Sequence, residues 1–221
     1  MKKEIVKTTD GSYTLYVPEL DETYHSTNGA LQESNHVFIE AVLKFSSLKK
    51  ATILEVGFGT GLNALTTFNE TEKSNLNIEF TSLEAYPLEW DEVSKLEYMS
   101  MEGYQQYATP FEKMHTCEWD DFTKITANFS LRKLNLKLQE VSFENTFDII
   151  YFDAFAPQIQ PELWTEEIFT LMYKALKKNG VLVTYCAKGI VKRALKKVGF
   201  ELQSIPGPPG KREMSRAVKN N

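Results

Sequence analysis

The chain has 221 residues, of which 42% are hydrophobic and 25% charged, and its formal net charge is −5. This length suits one well-buried domain, and the composition is that of a soluble globular protein. There is no apolar run long enough to span a membrane, no apolar leader and no metal or disulfide spacing among two cysteines and three histidines. We therefore expect a cytoplasmic protein without a metal ion.

The charge is distributed unevenly along the sequence. Residues 1–169 hold 13 Lys+Arg and 28 Asp+Glu, a balance of −15, whereas residues 170–221 hold 12 and 2, a balance of +10. A basic end on an acidic body is typical of a surface that binds nucleic-acid phosphates, although the same lysines could simply solvate helix faces. The oligomeric state cannot be read from this pattern.

The predicted elements begin with a β-hairpin over residues 4–17, turning at Asp10-Gly11, and a helix over residues 29–45. Short apolar strands then alternate with helices. The strands are predicted at 51–57, 77–85, 111–119, 146–155 and 181–187. The helices are predicted at 61–70, 88–106, 161–180 (with Asn179-Gly180 as its cap) and 189–200. Two further strands flank a Pro/Gly loop within 201–218.

This alternation predicts an α/β fold, in which a mostly parallel seven-stranded sheet carries helices on both faces. We expect a single domain over 1–221, with the hairpin and a covering helix in 1–48 and a Rossmann-like core in 49–221. Ligands of such sheets bind where the strands end, at the point where the strand order reverses. The segments expected there are "GFGTG", "EAYP", "WDD", "DAFAP" and "CAKG".

A glycine-rich turn follows the first core strand in "ILEVGFGTGLNAL", residues 53–65. Gly57, Gly59 and Gly61 form G-x-G-x-G, whereas a dinucleotide turn usually has the form G-x-G-x-x-G. Glycine permits positive φ and lets a ligand approach the backbone, and the helix beyond offers free N–H groups. The turn could hold a dinucleotide, a phosphate or another nucleotide-like ligand, or be only a tight turn.

Three acidic residues at strand ends narrow the choice of ligand for the glycine turn. Glu55, two residues before the first glycine, would repel a pyrophosphate but suit a cationic ligand. Glu84 ends the second strand, where an acid fits a ribose diol. Asp121, expected to end the third strand, would face an adenine. The ordered set predicts S-adenosylmethionine, with NAD or a purely structural turn as the alternatives.

The fourth strand ends in "YFDAFAP", where Asp153 stands among aromatic and apolar residues and Phe155 and Pro157 form a rigid lip. Methyl transfer to nitrogen needs a neutral amine, and an alkylamine is only ~0.1% neutral at neutral pH, which costs roughly 4 kcal/mol. A carboxylate can hold such an amine, accept its proton and aim its lone pair. Asp153 is therefore the candidate catalytic group, although a helix N-cap would also explain it.

Several stretches together resemble a known family, the methyltransferase domain of the bifunctional tRNA 5-methylaminomethyl-2-thiouridine biosynthesis proteins. They are "YHSTNGALQESNHVFIE", "LEVGFGTGLNAL", "FDAFAPQIQPELWTEEIFTLM", "GVLVTYCAKGIVKRALKKVGFE" and "GKREM". The match runs from about residue 24 to 214. The glycine turn alone is weak evidence, whereas "DAFAP" with the later Pro-x-Leu-Trp and the terminal "KREM" is specific.

The resemblance implies a class I S-adenosylmethionine-dependent enzyme that methylates the aminomethyl group of the wobble uridine in the tRNA anticodon loop. Asp153 would be its catalytic residue. The cofactor would be bound by Glu55, Gly57, Gly59, Gly61, Asn63, Glu84, Asp121, Asp153 and Phe155. The substrate would be bound by Tyr24, Ser26, Glu33, Ser34, Pro157, Lys211 and Arg212.

The sequence also departs from the family pattern. The bifunctional proteins continue into an FAD-dependent oxidase domain and this chain stops at residue 221, so no FAD is expected. A separate oxidase or another wobble-uridine enzyme would then supply the aminomethyl form. His36 stands where the family often has an aromatic residue, and Ile159 and Gln160 stand where it commonly has a lysine, so the tRNA contacts there stay undefined.

Other interpretations stay open at this point. Glu33 and Ser34 could lie on an exposed helix surface, and Arg212 could form a structural ion pair with Glu213. The acceptor could be a small-molecule or protein amine rather than tRNA. The chain could also be a non-catalytic nucleotide-binding adaptor on a methyltransferase fold.

Overall fold

The computed structural model describes residues 1–220 and begins with a small antiparallel sheet. Its strands pair in the order β1-β2-β3, so the predicted hairpin is confirmed and gains a third, two-residue strand. The Asp10 side chain accepts a hydrogen bond from the Ser12 backbone N–H (3.0 Å), which stabilises the turn where Gly11 has φ 87°. The bounds are β1 Glu4–Lys7, β2 Tyr13–Val17 and β3 Glu22–Thr23.

A helical segment follows and covers one face of the main sheet. It starts as α1 (Ala30–Ser34), continues as a π-helix (Asn35–Leu43) and ends as α2 (Lys44–Ser46). Val37, Phe38 and Val42 are almost completely buried, because their spacing places them on one side of the helix. The predicted covering helix is therefore confirmed, with a π-helical middle that sequence periodicity does not reveal.

The main sheet has eight strands in the order β10-β11-β9-β8-β4-β5-β7-β6. The pairs between β9, β8, β4, β5 and β7 are parallel, and the outer pairs are antiparallel. The prediction of seven strands is therefore one short, because β6, with only two residues, adds an antiparallel strand beside β7 at the edge. The bounds are β4 Lys50–Val56, β5 Asn77–Leu83, β6 Thr123–Lys124, β7 Phe129–Leu134, β8 Phe147–Phe152, β9 Leu176–Thr184, β10 Glu201–Pro206 and β11 Glu213–Val218.

Helices cover both faces of the sheet and bury two apolar clusters against it. One cluster includes Phe38, Phe68 and Phe80, and the other includes Phe152 and Phe169. The expected α/β architecture with helices on both faces is thus confirmed. The helices beyond the covering segment are α3 Leu62–Ser74, α4 Trp90–Val93, α5 Ala108–Thr116, α6 Glu166–Ala175 and α7 Gly189–Val198.

The prediction of a strand at 111–119 is wrong, because this stretch contains most of α5. Phe111 and Met114 are buried while the residues between them are exposed, which is the spacing of a helix face rather than of a strand. The third parallel strand is β7 instead. The helix expected over 88–106 is also shorter than predicted, with α4 followed by separate 3₁₀ turns.

The predicted helix cap at Asn179-Gly180 is wrong as well. Helix α6 ends at Ala175, and β9 starts at the next residue. Asn179 has φ 64° and its N–H donates to the Lys219 carbonyl oxygen (2.7 Å), so the pair bends the start of a strand. A pattern of Asn-Gly with positive φ fits both a helix end and a strand irregularity.

Strand β4 lies between β5 and β8, and the chain runs from β4 to one side before it returns to the other. The strand order therefore reverses between β4 and β8, which places a crevice at their carboxyl ends. Among residues 1–220, no helix combines the length and the apolarity that crossing a membrane requires.

Candidate active site

A cavity of about 1110 Å³ opens at the carboxyl ends of the parallel strands. Its size is at the upper end for small-molecule sites. Its walls are the glycine turn, the residues that follow β5, β7 and β8, the N-terminal segment around Tyr24, and the loop between β10 and β11, which contributes Lys211. The position agrees with the one that the strand order predicts.

The glycine turn forms the floor of the cavity at Gly57 and Gly59. Gly57 has φ 91°, and a Cβ there would lie 3.1 Å from the Asp153 carbonyl oxygen. At Gly59, with φ 50°, a Cβ would lie 3.2 Å from the Tyr24 ring. Any side chain would fill the cradle, so the turn leaves room for a ligand against the backbone. Gly61 starts α3 behind the turn, away from the cavity lining.

Glu84 lies on the cavity wall directly after β5, as the sequence predicts. Its two carboxylate oxygens accept hydrogen bonds from the backbone N–H groups of Gly59 (2.9 Å) and Tyr86 (2.8 Å). The side chain therefore connects the end of β5 to the glycine turn. A carboxylate held in this way at the wall can also accept hydrogen bonds from vicinal hydroxyl groups of a ligand.

Glu55 differs from its predicted role. It is 0% exposed, accepts a hydrogen bond from the Ser82 hydroxyl (2.5 Å) and does not line the cavity. Burial raises the pKa of Glu55 well above its ordinary value, and the nearby Asp153 raises it further. Because Glu55 is fully buried and does not line the cavity, a direct contact between its carboxyl group and a cationic ligand is not supported.

The structure does not bring Asp121 to the cavity. Asp121 is exposed and lies before β6, because the segment that was expected to end in it is helical. The third parallel strand is β7, and the residues after it line the cavity instead. They include an apolar pair, Leu136 and Leu138, followed by Gln139 and Glu140. The alternating pattern of "FSLRKL" was the signal that could have identified this strand.

Asp153 lies on the cavity wall immediately after β8. Its Oδ2 accepts a hydrogen bond from the Asn63 side-chain amide (2.7 Å), and the Asn63 Oδ1 accepts one from the Ser34 hydroxyl (2.7 Å). Asn63 is thereby fixed with its N–H₂ towards the carboxylate. Ser34 is buried behind Asn63, so its predicted substrate contact becomes a positioning role, and the exposed-surface alternative does not apply.

The environment of Asp153 raises its pKa to about 7. Burial is the largest cause and the Glu33 carboxylate adds to it, whereas the Asn63 hydrogen bond and the Lys211 ammonium act in the opposite direction. A carboxyl group with this pKa is half ionised near neutral pH. It can therefore accept a proton from a bound group and release it again.

Phe155 forms the lip of the cavity. Its ring packs edge-on against Tyr24, with centroids 5.1 Å apart. Its backbone is held by Trp164 Nε1, which donates to the Phe155 carbonyl oxygen (2.8 Å), and by Gln160, which accepts from the Phe155 N–H (3.2 Å). Gln160, one of the two residues that replace the family's lysine, thus has a structural contact here. Pro157 lies in the same loop but is not part of the lining.

Glu33 and Lys211 meet on the cavity wall, close enough to Asp153 for both charges to act on its carboxyl group. The Lys211 ammonium forms an ion pair with Glu33 Oε1 and lies 4.0 Å from the centre of the Tyr185 ring. Glu33 Oε2 accepts from the Ser26 N–H (2.8 Å). Lys211 therefore points into the cavity, not outward as phosphate binding would require. Tyr185, which follows β9, is a site residue that the sequence did not identify.

Arg212 is exposed and does not line the cavity. The alternative that it forms an ion pair with Glu213 is not supported either, because Glu213 pairs with Lys192 (2.8 Å). Arg212 stays a prediction for phosphate contact on the outer surface.

Replacing Gly57 by alanine tests the cradle. We expect Gly57→Ala to lower the free energy of unfolding by about 2–3 kcal/mol and to weaken ligand binding, because it adds strain at positive φ and a contact with the Asp153 backbone. Gly11→Ala is the matched control, since Gly11 has φ 87° with nothing near a Cβ. Urea denaturation measures the free energy of unfolding of both variants. Equal losses of stability in the two variants would show that the contact with Asp153 is unimportant.

Comparison with known proteins defines the class of this site. Residues 94–220 match the family model described as "S-adenosyl-L-methionine-dependent methyltransferase". This match covers more than half of the chain, and the chain belongs to that family. Its cofactor is therefore S-adenosylmethionine, as the sequence predicts.

Particular relatives are similar over nearly the whole chain. The tRNA 5-methylaminomethyl-2-thiouridine biosynthesis bifunctional protein MnmC of Cupriavidus metallidurans is 28% identical over 97% of this chain and 33% of the relative. MnmC of Leptospira interrogans is 30% identical over 89% of this chain and 32% of the relative. The chain thus spans about a third of the length of these curated relatives.

Solved structures agree with this result. The crystal structure of MNMC2 from Aquifex aeolicus superposes with a TM-score of 0.73 at 26% identity, over 98% of this chain and 70% of that one. A spermidine synthase from Thermotoga maritima superposes with a TM-score of 0.58 at 17% identity, over 98% and 68%. The latter likeness concerns the fold alone.

The residues present fit the family's cofactor. The cradle at Gly57 and Gly59 admits a ligand that side chains would exclude, and Glu84 lies where a ribose diol would meet it. The apolar side chains of Leu136 and Leu138 provide a surface for a base. When bound, S-adenosylmethionine supplies an electrophilic methyl group.

Proposed function

We propose that this protein transfers a methyl group from S-adenosylmethionine to the primary amine of 5-aminomethyl-(2-thio)uridine at the tRNA wobble position. The product would be 5-methylaminomethyl-(2-thio)uridine. The observation that carries the proposal is the carboxyl of Asp153, with a pKa of about 7, at the edge of the glycine cradle. The MnmC relatives are named for the biosynthesis of 5-methylaminomethyl-2-thiouridine in tRNA, which supports the choice of acceptor.

The balance of protons explains why one carboxylate suffices. The acceptor arrives mainly as an ammonium ion and must lose one proton before its lone pair can attack. Asp153 takes that proton. A carbon–nitrogen bond then forms as the carbon–sulfur bond breaks, which leaves a secondary ammonium ion and an uncharged thioether. Product release returns the proton from Asp153 to solvent.

The walls near Asp153 suit a flat, partly polar nucleobase. Tyr24 and Phe155 present aromatic surface at the lip, and aromatic rings are common stacking partners for bases that are taken out of a strand. The N-terminal segment around Ser26 lies on the same side. We assign Tyr24 and Ser26 to the uridine, in line with their predicted substrate contacts. Phe155, predicted to contact the cofactor, is assigned to the uridine as well because its ring packs against Tyr24.

The basic surface next to the cavity suits an anticodon stem–loop. Lys188 lies on the cavity wall directly before α7. Arg212 is exposed in the same loop as Lys211, so it adds a second positive charge near the opening. Such residues position a nucleic acid through its phosphates.

The experiment is a transfer assay with labelled S-adenosylmethionine. The acceptors are tRNA that carries 5-aminomethyluridine, the same tRNA with unmodified uridine, and spermidine as a small amine. We expect label in the first tRNA only, and mass spectrometry of its nucleosides should show one added methyl group on the aminomethyl nitrogen. Label in spermidine without label in either tRNA would contradict the proposal and favour a small-molecule acceptor.

A further inference from the structure

The ion pair between Lys211 and Glu33 is unusual because it lies within the acceptor side of the cavity. The two side chains are 34% and 10% exposed. Such a pair is less screened by solvent than a surface pair and exerts a stronger field on its surroundings. The pair places the Lys211 ammonium in the cavity wall. A site that receives an ammonium ion would be expected to present only hydrogen-bond acceptors there.

The loop that carries Lys211 is held firmly over the N-terminal helix. The His36 Nε2–H donates to the Pro206 carbonyl oxygen (2.9 Å). Gly210 packs so closely against Asn28 that a Cβ would lie 2.2 Å from the side-chain nitrogen. The Lys211 N–H donates to the Pro208 carbonyl oxygen (2.9 Å). The lysine is thus fixed at its backbone and at its ammonium, so its charge stays in place.

We propose that the Lys211 ammonium keeps the acceptor amine uncharged by holding a fixed positive charge beside the part of the cavity where Asp153 receives that amine. This inference rests on the proposed function in that it assumes an alkylamine acceptor. Lys211 is a positioning residue and not a catalytic one, since it acts through its field and exchanges no proton with the substrate.

The sign of the effect follows from electrostatics. A nearby cation disfavours a second cation, so it lowers the pKa of a bound amine, and it stabilises the carboxylate form of Asp153. Both changes increase the fraction of enzyme–acceptor complexes in which the amine is neutral and Asp153 is ionised. Glu33 opposes this field, and at Asp153 its effect is larger than that of Lys211. Lys211 therefore acts by offsetting a carboxylate that, unpaired, would favour the ammonium form of the amine.

Other titratable groups face the same space as Lys211. Tyr185 contributes its ring face and donates its hydroxyl proton to the Ala154 carbonyl oxygen (2.9 Å). His25 is neutral, because burial lowers its pKa to about 4. The charged or titratable groups near Lys211 include Glu33 on α1, Asp153 after β8, Tyr185 and Cys186 after β9, Glu22, Tyr24 and His25 before α1, and Lys188 at α7.

The test measures the charge of the bound amine directly. In an Asp153→Asn background, calorimetry in buffers of different ionisation enthalpy counts the protons released when an anticodon stem–loop RNA with 5-aminomethyluridine binds. The same RNA with unmodified uridine is subtracted, and S-adenosylhomocysteine is present throughout. With Lys211 intact, we expect release of close to one proton per amine near neutral pH.

Adding Lys211→Met should abolish most of this release and increase the preference for the aminomethyl RNA by roughly fivefold or more. With Asp153 intact, the acid limb of the kcat profile should move to higher pH by roughly one unit. Lys211→Arg should restore the original profile. Lys177→Met, which removes a lysine of similar exposure paired with Asp148 at the opposite end of the sheet, should change none of these.

Unchanged proton release, or a weaker preference for the aminomethyl RNA in Lys211→Met, would overturn the inference. The latter result would instead support contact of Lys211 with RNA phosphates. If the wild-type protein neither prefers nor methylates the aminomethyl RNA, the proposed function itself fails. If it does both and Lys211→Met has no effect, only the role of Lys211 fails.

Discussion

Asp153→Asn should reduce methyl transfer by roughly 10²- to 10⁴-fold, the range expected for loss of a general base. Asparagine has the same shape and can still accept the Asn63 hydrogen bond, so the affinity for S-adenosylmethionine should change little. The wild-type rate should rise with pH through about 7, the pKa of Asp153, and this limb should be absent in the variant. Single-turnover kinetics and calorimetry measure the two properties.

A stability measurement separates this role from a structural one. The folded pKa of Asp153 lies above its ordinary value of 3.8, so its ionisation destabilises the fold as pH rises from about 4 to about 7. Above that range, Asp153→Asn should be more stable than wild type by at least ~1 kcal/mol. Asp148→Asn, at the start of the same strand, should instead lose stability and keep its turnover. Normal turnover in Asp153→Asn would refute the catalytic assignment.

Glu84→Ala should weaken binding of S-adenosylmethionine by roughly 30- to 100-fold, which corresponds to a loss of about 2–3 kcal/mol of hydrogen bonding to a charged group. The change removes the proposed ribose contact and also the acceptor that holds the Gly59 N–H. Isothermal titration with S-adenosylhomocysteine measures the effect. Glu79→Ala, at the other end of β5 in an exposed ion pair with Lys50, is the matched control.

A ligand analogue distinguishes the two contributions of Glu84. Wild type should bind S-adenosylhomocysteine more tightly than its 2′-deoxy analogue, and Glu84→Ala should bind both equally. If the variant still discriminates between them, the ribose is recognised elsewhere and Glu84 only supports the glycine turn.

The sequence predicted those parts of the fold and site that depend on local pattern. The alternation of strands and helices, the glycine turn, Glu84 and Asp153 all follow from residues close together in the chain. Asp121 does not reach the cavity because the segment before it is helix α5 and not a strand. The three-residue spacing of Phe111 and Met114 fits a helix face, and both side chains are buried in α5.

Other features depend on contacts between distant parts of the chain. The raised pKa of Glu55 follows from its complete burial. The inward direction of Lys211 follows from a loop that meets α1 across 178 residues of sequence. From the sequence alone, Lys211 is predicted to contact a phosphate. The structure instead places Glu33 and Tyr185 around its ammonium group.

The most direct measurement is a crystal structure of the protein with S-adenosylhomocysteine and an anticodon stem–loop RNA that carries 5-aminomethyluridine. We predict the thioether sulfur against the cradle of Gly57 and Gly59, and the aminomethyl nitrogen within hydrogen-bonding distance of Asp153 on the line of transfer. An aminomethyl group bound away from Asp153, or a ligand that leaves the glycine cradle empty, would contradict the account.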